Sequence, residues 1–243
     1  MFGTIFYNPL YNALILILDH IPGGNVAVAT IILTCLVKLI LFPISKNAAK
    51  TQIKMKILEP EIAKIREQYS KDPQALAQKT MDFYKKNDLN PFAGFFLLLI
   101  QLPIILALAS IFYRGGLPAV NVSLLYSFVH NPTSVNTIFL GMDVAKSSLV
   151  LGILAGLSQF FQIRLTMPAM PSKPAGSGAQ SFGNDFAQSM NLQMRYVMPV
   201  IIFIICLKIS GAVAIYWITG SLFMICQELY FRRTVKKGFV PVK

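Results

Sequence analysis

The sequence predicts an all-α, polytopic membrane protein in which five transmembrane helices form a hydrophilic groove and a helical hairpin projects into the cytoplasm. Of its 243 residues, 55% are hydrophobic and only 13% are charged, a balance that is unusual for a soluble domain. The apolar residues cluster in long runs, and most of the basic residues behind the net charge of +12 lie between those runs. Both features are typical of a chain that crosses a bilayer several times.

The apolar runs set the number of predicted spans. A helix needs about 20 apolar residues to cross the hydrocarbon core of a bilayer. The last two runs are the shortest, and Lys208, Ser210 and Gly211 supply the turn between them. The predicted spans are 24–45, 91–113, 145–165, 195–209 and 210–231.

The distribution of Lys and Arg predicts the orientation. Segment 46–90 contains ten of them and the tail at 232–243 contains five, whereas 1–23 contains none and 114–144 contains only Arg114. Basic loops stay in the cytoplasm. The N-terminus and the 114–144 loop are therefore predicted outside, the basic tail is predicted inside, and the number of spans must be odd.

The segments outside the spans differ in character. Residues 1–23 are predicted to form an extracytoplasmic interfacial helix, because Asn8, Asn12 and Asp19 recur opposite an apolar face. Residues 166–194 are rich in Pro, Gly and Ser and predict a flexible cytoplasmic loop.

Segment 46–90 predicts a charged helical hairpin. Asp72 followed by Pro73 is a favourable cap and first position for the second arm, and Pro60 would restart or kink the first arm. Such a projection is a candidate surface for receiving a substrate, although solvated helices without a partner have the same pattern. The apolar residues that would form its seam include Ile62, Ile65, Tyr69 and Phe83.

Lys38 is the main candidate site residue, because it lies inside the apolar run TCLVKLILFPIS. Its long side chain could extend to the nearby cytoplasmic interface, about 9 Å away. Thr30 and Thr34 share its face of the helix, however, and this favours a face turned toward a wet cavity. Since the spans contain no carboxylate at depth, Lys38 has no evident ionic partner and is a functional-site candidate.

Other spans contribute polar side chains that could line the same groove. They are Gln101 in the second span, Gln159 and Gln162 in the third, and Tyr216 and Trp217 in the fifth.

Several kinds of chemistry have no support in the sequence. There is no GxxxxGK[ST] loop for nucleotide phosphates and no HExxH pair, and the three cysteines lie singly within apolar runs. A nucleophilic pair of Lys38 and Ser45 is disfavoured, since seven residues of helix separate their backbones by about 10 Å. We expect no cofactor, no metal and no enzymatic covalent chemistry.

Seven segments carry a resemblance to a known family. In chain order they are LVKLILFPIS, EPEIAKIREQYSKDP, MDFYKKNDLNPFAG, LLLIQLP, IFLGMDV, LSQFFQIRLT and AIYWITGSLFMICQ. Their order and spacing resemble the YidC/Oxa/Albino family of membrane protein insertases, in its compact five-span bacterial form. The groove residue is usually Arg in that family, and Lys38 keeps the charge but not the bidentate geometry.

The resemblance implies a groove that is open to the cytoplasm and to lipid, where Lys38 attracts the short, often acidic tail of a nascent membrane protein. Gln159 and Trp217 match family positions that line or close this groove. The implied location is the bacterial plasma membrane, and the implied partners are nascent membrane proteins and membrane lipid, without DNA. The ribosome, the signal recognition particle pathway and the Sec translocon are further candidate partners.

Two other functions stay open at this stage. A small anion or solute transporter could use Lys38 to bind its solute, but the sequence shows neither an inverted repeat nor an intramembrane acid for ion coupling. An assembly scaffold for other membrane proteins is compatible with insertion.

Overall fold

A computed structural model describes residues 3–70, 72–90, 93–114, 117–166 and 192–238. The helical class is confirmed, with a short two-stranded sheet added between α5 and α6. The predicted loop at 166–194 lies outside the described residues except at its two ends. The described helices are α1 (Asn8–His20), α2 (Val26–Ile40), α3 (Phe42–Gln68), α4 (Pro73–Lys86), α5 (Ala93–Arg114), α6 (Leu149–Thr166), α7 (Met198–Lys208) and α8 (Gly211–Gly238), and the strands are β1 (Ile138–Phe139) and β2 (Met142–Asp143).

Two helices of the described chain, α6 and the Gly211–Arg233 part of α8, are long and apolar enough to cross a membrane alone. Helices α2 and α3 meet the same criterion only together, as a pair bent by 69°. Helix α7 has 11 residues and continues directly from a five-residue π-helical stretch, Gln193–Val197. At about 1.5 Å per residue, even the two together fall short of the hydrocarbon core of about 30 Å. The helices support a membrane protein, and the count of five spans stays a prediction.

The first predicted span ends at a sharp bend. Helix α2 begins at a cap in which the side chain of Asn25 accepts hydrogen bonds from the amides of Ala27 and Val28. It ends at Ile40, and α3 begins two residues later. Pro43 lies in the first turn of α3, where its missing N–H costs nothing but where it cannot continue α2. The helix that carries Lys38 therefore ends before Pro43.

Helices α3 and α4 occupy the segment predicted to be the hairpin. Helix α3 continues through Pro60 instead of restarting there. The carboxylate of Asp72 caps α4 as predicted, because it accepts from the amides of Gln74 and Ala75, both at 3.0 Å. The two helices contact each other, and their role as a cytoplasmic hairpin stays a prediction. Of the predicted seam, Ile62 is buried, whereas Ile65, Tyr69 and Phe83 are half-buried.

Close packing of α6 against its neighbours depends on small residues. Gly152 and Gly156 face Phe203 of α7, and a Cβ atom added to Gly156 would lie 3.2 Å from both the Phe203 Cβ and the Pro199 carbonyl oxygen. Such residues let two helix backbones approach, which is the usual packing solution where water supplies no driving force between helices.

The loop between α5 and α6 binds the starts of other helices. The Val26 amide donates to the Asn136 carbonyl at 2.9 Å, and the Ala212 amide donates to the Val144 carbonyl at the same distance. The Asn12 side chain of α1 donates to the Leu124 carbonyl. Helix α1 is also packed into the core, where Tyr11 and Leu14 are fully buried. The loop thus fixes one end of the helix assembly.

A substitution at Gly24 tests the contact between the start of α2 and the α5–α6 loop. A Cβ atom there would lie 2.0 Å from the Ser134 carbonyl oxygen, whereas one at Gly23 meets nothing within 4 Å. Both glycines have positive φ, so both alanine variants carry the backbone strain, and only Gly24→Ala adds the clash. We expect its melting temperature in detergent to lie about 5–10 °C below that of Gly23→Ala, from an added cost of about 2–3 kcal/mol. Equal melting temperatures would contradict the close approach.

Candidate functional site

Lys38 lies in the last turn of α2, and its ammonium is directed toward other helices. The Lys38 Nζ donates a hydrogen bond of 3.0 Å to the Gln101 Oε1 of α5. On another side, a Cβ atom added to Gly220 of α8 would lie 3.4 Å from the Lys38 Cε. The side chain is therefore held between α5 and α8, and its role as a groove residue stays a prediction.

The partner of Lys38 is itself held by α8. The Gln101 amide nitrogen donates to the phenol oxygen of Tyr216, which is only 2% exposed. Lys38, Gln101 and Tyr216 thus form a polar chain that joins α2, α5 and α8. Gln101 and Tyr216 are both neutral, so neither of them compensates the positive charge of the Lys38 ammonium.

A second polar cluster joins α6 to α8. The Gln159 Oε1 accepts from the Trp217 indole at 2.8 Å and from the Ser221 hydroxyl at 3.3 Å. Since Tyr216 and Trp217 are consecutive on α8, the two clusters share this helix. Gln162 lies half-buried almost one turn further along α6.

The two threonines near Lys38 do not line an open cavity. Thr30 and Thr34 are 0% and 1% exposed. Their hydroxyls donate to the carbonyls of Val26 and Thr30, at 2.8 and 2.6 Å, within their own helix. This is the usual way in which a helical threonine satisfies its donor. They share the face of Lys38, but their polar atoms are already used inside α2.

Gly220 belongs with this site and was not among the residues predicted for it, and the adjacent Ser221, a polar residue of the fifth predicted span, belongs with it as well. Gly220 leaves the space that the Lys38 stem occupies, and Ser221 binds the same oxygen as Trp217. The signal available in the sequence was their position one helical turn after Tyr216 and Trp217, on the same face of α8.

The sequence model of the 60Kd inner membrane protein family matches residues 17–238. The membrane protein insertase YidC of Fusobacterium nucleatum subsp. nucleatum is 31% identical over 217 residues, which cover 88% of each chain. The chain belongs to the YidC family of membrane protein insertases. YidC of Clostridium tetani is 30% identical over 89% of this chain and 86% of its own. The insertase MisCA of Bacillus subtilis is 29% identical over 95% of this chain and 79% of its own.

This YidC-family chain also contains a buried ionic cluster, apart from the two polar clusters. Glu228 of α8 is 2% exposed and lies 3.0 Å from the Arg232 Nε and 3.8 Å from the Lys56 Nζ. Both cations also donate to the Leu165 carbonyl, which is among the last carbonyls of α6. Burial lowers the pKa of Lys56 to about 8, and the Glu228 carboxylate opposes that shift. The cluster attaches α3 to α6 and α8, and so fixes the position of α3 after the bend.

The contact between Gln159 and Trp217 can be measured by a double-mutant cycle. Gln159→Leu leaves the indole N–H without its acceptor, and Trp217→Phe removes the donor. We expect a coupling of about 0.5–1.5 kcal/mol in the free energy of unfolding, measured by titration with a denaturing detergent. Strictly additive effects would show that this family member does not use the bond.

Proposed function

We propose that this protein is a membrane protein insertase and chaperone. It moves short extracytoplasmic tails of nascent membrane proteins through a hydrated groove and releases their apolar segments into lipid, without nucleotide hydrolysis. The observation that carries the proposal is the contact of the Lys38 ammonium with Gln101 between apolar helices. The relatives are named membrane protein insertases, which points to the same activity.

Lys38 would act by exchanging partners. Its bond to Gln101 joins a charge to a neutral amide, whereas a carboxylate in a passing tail would offer a bond between two opposite charges. Two opposite charges attract each other in a way that an ammonium and a neutral amide do not, and a site shielded from water strengthens that attraction. An acidic tail would therefore displace Gln101, which would still be held by Tyr216 and could take Lys38 back when the tail leaves. Gln159 and Trp217 would line the groove on the α6 side.

Lipid would supply the driving force. Helix α6 presents a largely apolar exposed face with Ile153, Leu154, Leu157 and Phe161, each 43–56% exposed. A client segment could move into lipid along such a face. Burial of apolar surface stabilises by about 0.8 kcal/mol per CH₂ group, so a span of about 20 residues has ample free energy to carry a short polar tail across.

The proposed setting is the bacterial plasma membrane, with five spans, the N-terminus outside and the C-terminus in the cytoplasm. The distribution of basic residues supports this orientation, because it places α3, α4 and the basic end of α8 inside. There the α3–α4 pair would receive substrate through Ile65, Tyr69 and Phe83, near the ribosome, the signal recognition particle pathway and the Sec translocon. Basic residues at the C-terminus could contact ribosomal RNA phosphates.

Insertion into proteoliposomes tests the role of Lys38. With a single-span client that has an acidic tail, we expect Lys38→Ala and Lys38→Glu to lower tail translocation about tenfold or more, because a hydrogen bond to a charged group contributes about 1.5–3 kcal/mol. Lys38→Arg should retain activity because it keeps the charge.

Lys208→Ala is the matched control, since it removes an exposed lysine at the end of α7. Solute flux without tail translocation would indicate a transporter instead. Equal loss in Lys38→Ala for acidic and neutral tails would indicate that Lys38 hydrates the groove without attracting acids.

A further inference from the structure

The β-hairpin formed by β1 and β2 has an unfavourable residue at its tip. Phe139 pairs with Met142, which leaves Leu140 and Gly141 as a two-residue loop. Their φ angles are +49° and +77°, the combination of a type I′ turn. Asn, Asp or Gly normally occupies the first of these positions, because a larger side chain with positive φ is strained.

The same tip is apolar and exposed. Leu140 is 81% exposed and Ile138 of β1 is 52% exposed. In water, a leucine here would combine a strained backbone with unburied apolar surface, and an asparagine would avoid both. In contact with acyl chains, the side chain would instead be favourably placed. The residue at the tip thus indicates an apolar surrounding.

The β-hairpin is held at the level where helices begin. The Asn25 side chain, which caps α2, donates to the Ile138 carbonyl at 2.8 Å. Directly after β2, the Val144 carbonyl accepts from the Ala212 amide in the first turn of α8. Helix α6, long and apolar enough to cross a membrane, begins six residues after Asp143. Its first residues, Leu149 and Val150, are 60% and 55% exposed, so exposed apolar residues occur both at the tip of the β-hairpin and at the start of the span.

Charges lie at the base of the β-hairpin and not at its tip. Asp143 and Lys146 form an ion pair of 3.4 Å, and Lys146 is 81% exposed. An apolar end followed by an ion pair and an exposed ammonium matches the order of acyl chains and phosphate headgroups at a membrane interface.

We propose that this β-hairpin is a lipid anchor that places Leu140 and Ile138 among the acyl chains at the membrane interface, with Lys146 at the headgroups. Because the Ile138 carbonyl is bonded to the Asn25 cap of α2, and Val144 directly after β2 is bonded to the first turn of α8, the anchor fixes the starts of the two helices that carry Lys38 and Tyr216.

Tryptophan fluorescence tests the anchor cleanly, because the chain has one Trp. In a Trp217→Phe background, Leu140→Trp is reconstituted into phosphatidylcholine–phosphatidylglycerol vesicles whose acyl chains carry bromine either near the headgroup or near the chain end. We expect shallow bromine to quench the new indole about twofold more than deep bromine, since interfacial groups enter only about 5–10 Å. Aqueous iodide should quench it weakly.

Three further variants make the result decisive. Ile138→Trp is the second probe, because it lies in a strand without positive φ, and it should give the same pattern if Leu140→Trp does not fold. Asn131→Trp, in the exposed part of the loop, is the aqueous reference, and Leu154→Trp, on the lipid face of α6, is the deep reference. Quenching by iodide without quenching by bromine would overturn the anchor. Protection from both quenchers would also overturn it and would indicate a protein partner.

Discussion

The hydrogen bond between Lys38 and Gln101 is the interaction on which the site depends. A cation inside an apolar helix must be paired or hydrated, and here it is bound by an amide that Tyr216 holds from a third helix. Gln101 holds the ammonium inward and is itself neutral, and under the proposed function it would give way to a carboxylate. A fixed acid in its place would neutralise Lys38 and compete with every client tail.

The helices around this bond are positioned by features outside it. The bend after Ile40 turns α3 by 69° relative to α2, and the ionic cluster of Glu228 holds α3 against α6 and α8. At the opposite end, backbone bonds from the α5–α6 loop hold the first turns of α2 and α8. The helices around the polar chain are therefore fixed at both ends.

The sequence predicted those parts that depend on local chemistry. A lysine in an apolar run identified Lys38, and Asp72 before Pro73 identified the start of α4. The sequence could not predict contacts between residues that are distant along the chain. Thr30 and Thr34 have the right spacing for a polar face, but their hydroxyls bind their own backbone, which spacing cannot reveal. Glu228 contacts Lys56 only because α3 packs against α8. Gly220 belongs to the site only because the Lys38 side chain lies against it.

A charge exchange between the protein and its client tests the central claim most directly. Lys38→Glu is combined with a client whose acidic tail residue is replaced by Lys, and tail translocation is measured for all four pairings in proteoliposomes. If Lys38 pairs with tail carboxylates, Lys38→Glu should block the acidic tail and restore translocation of the basic one. If Lys38→Glu impairs both tails equally, the pairing of Lys38 with client acids is contradicted.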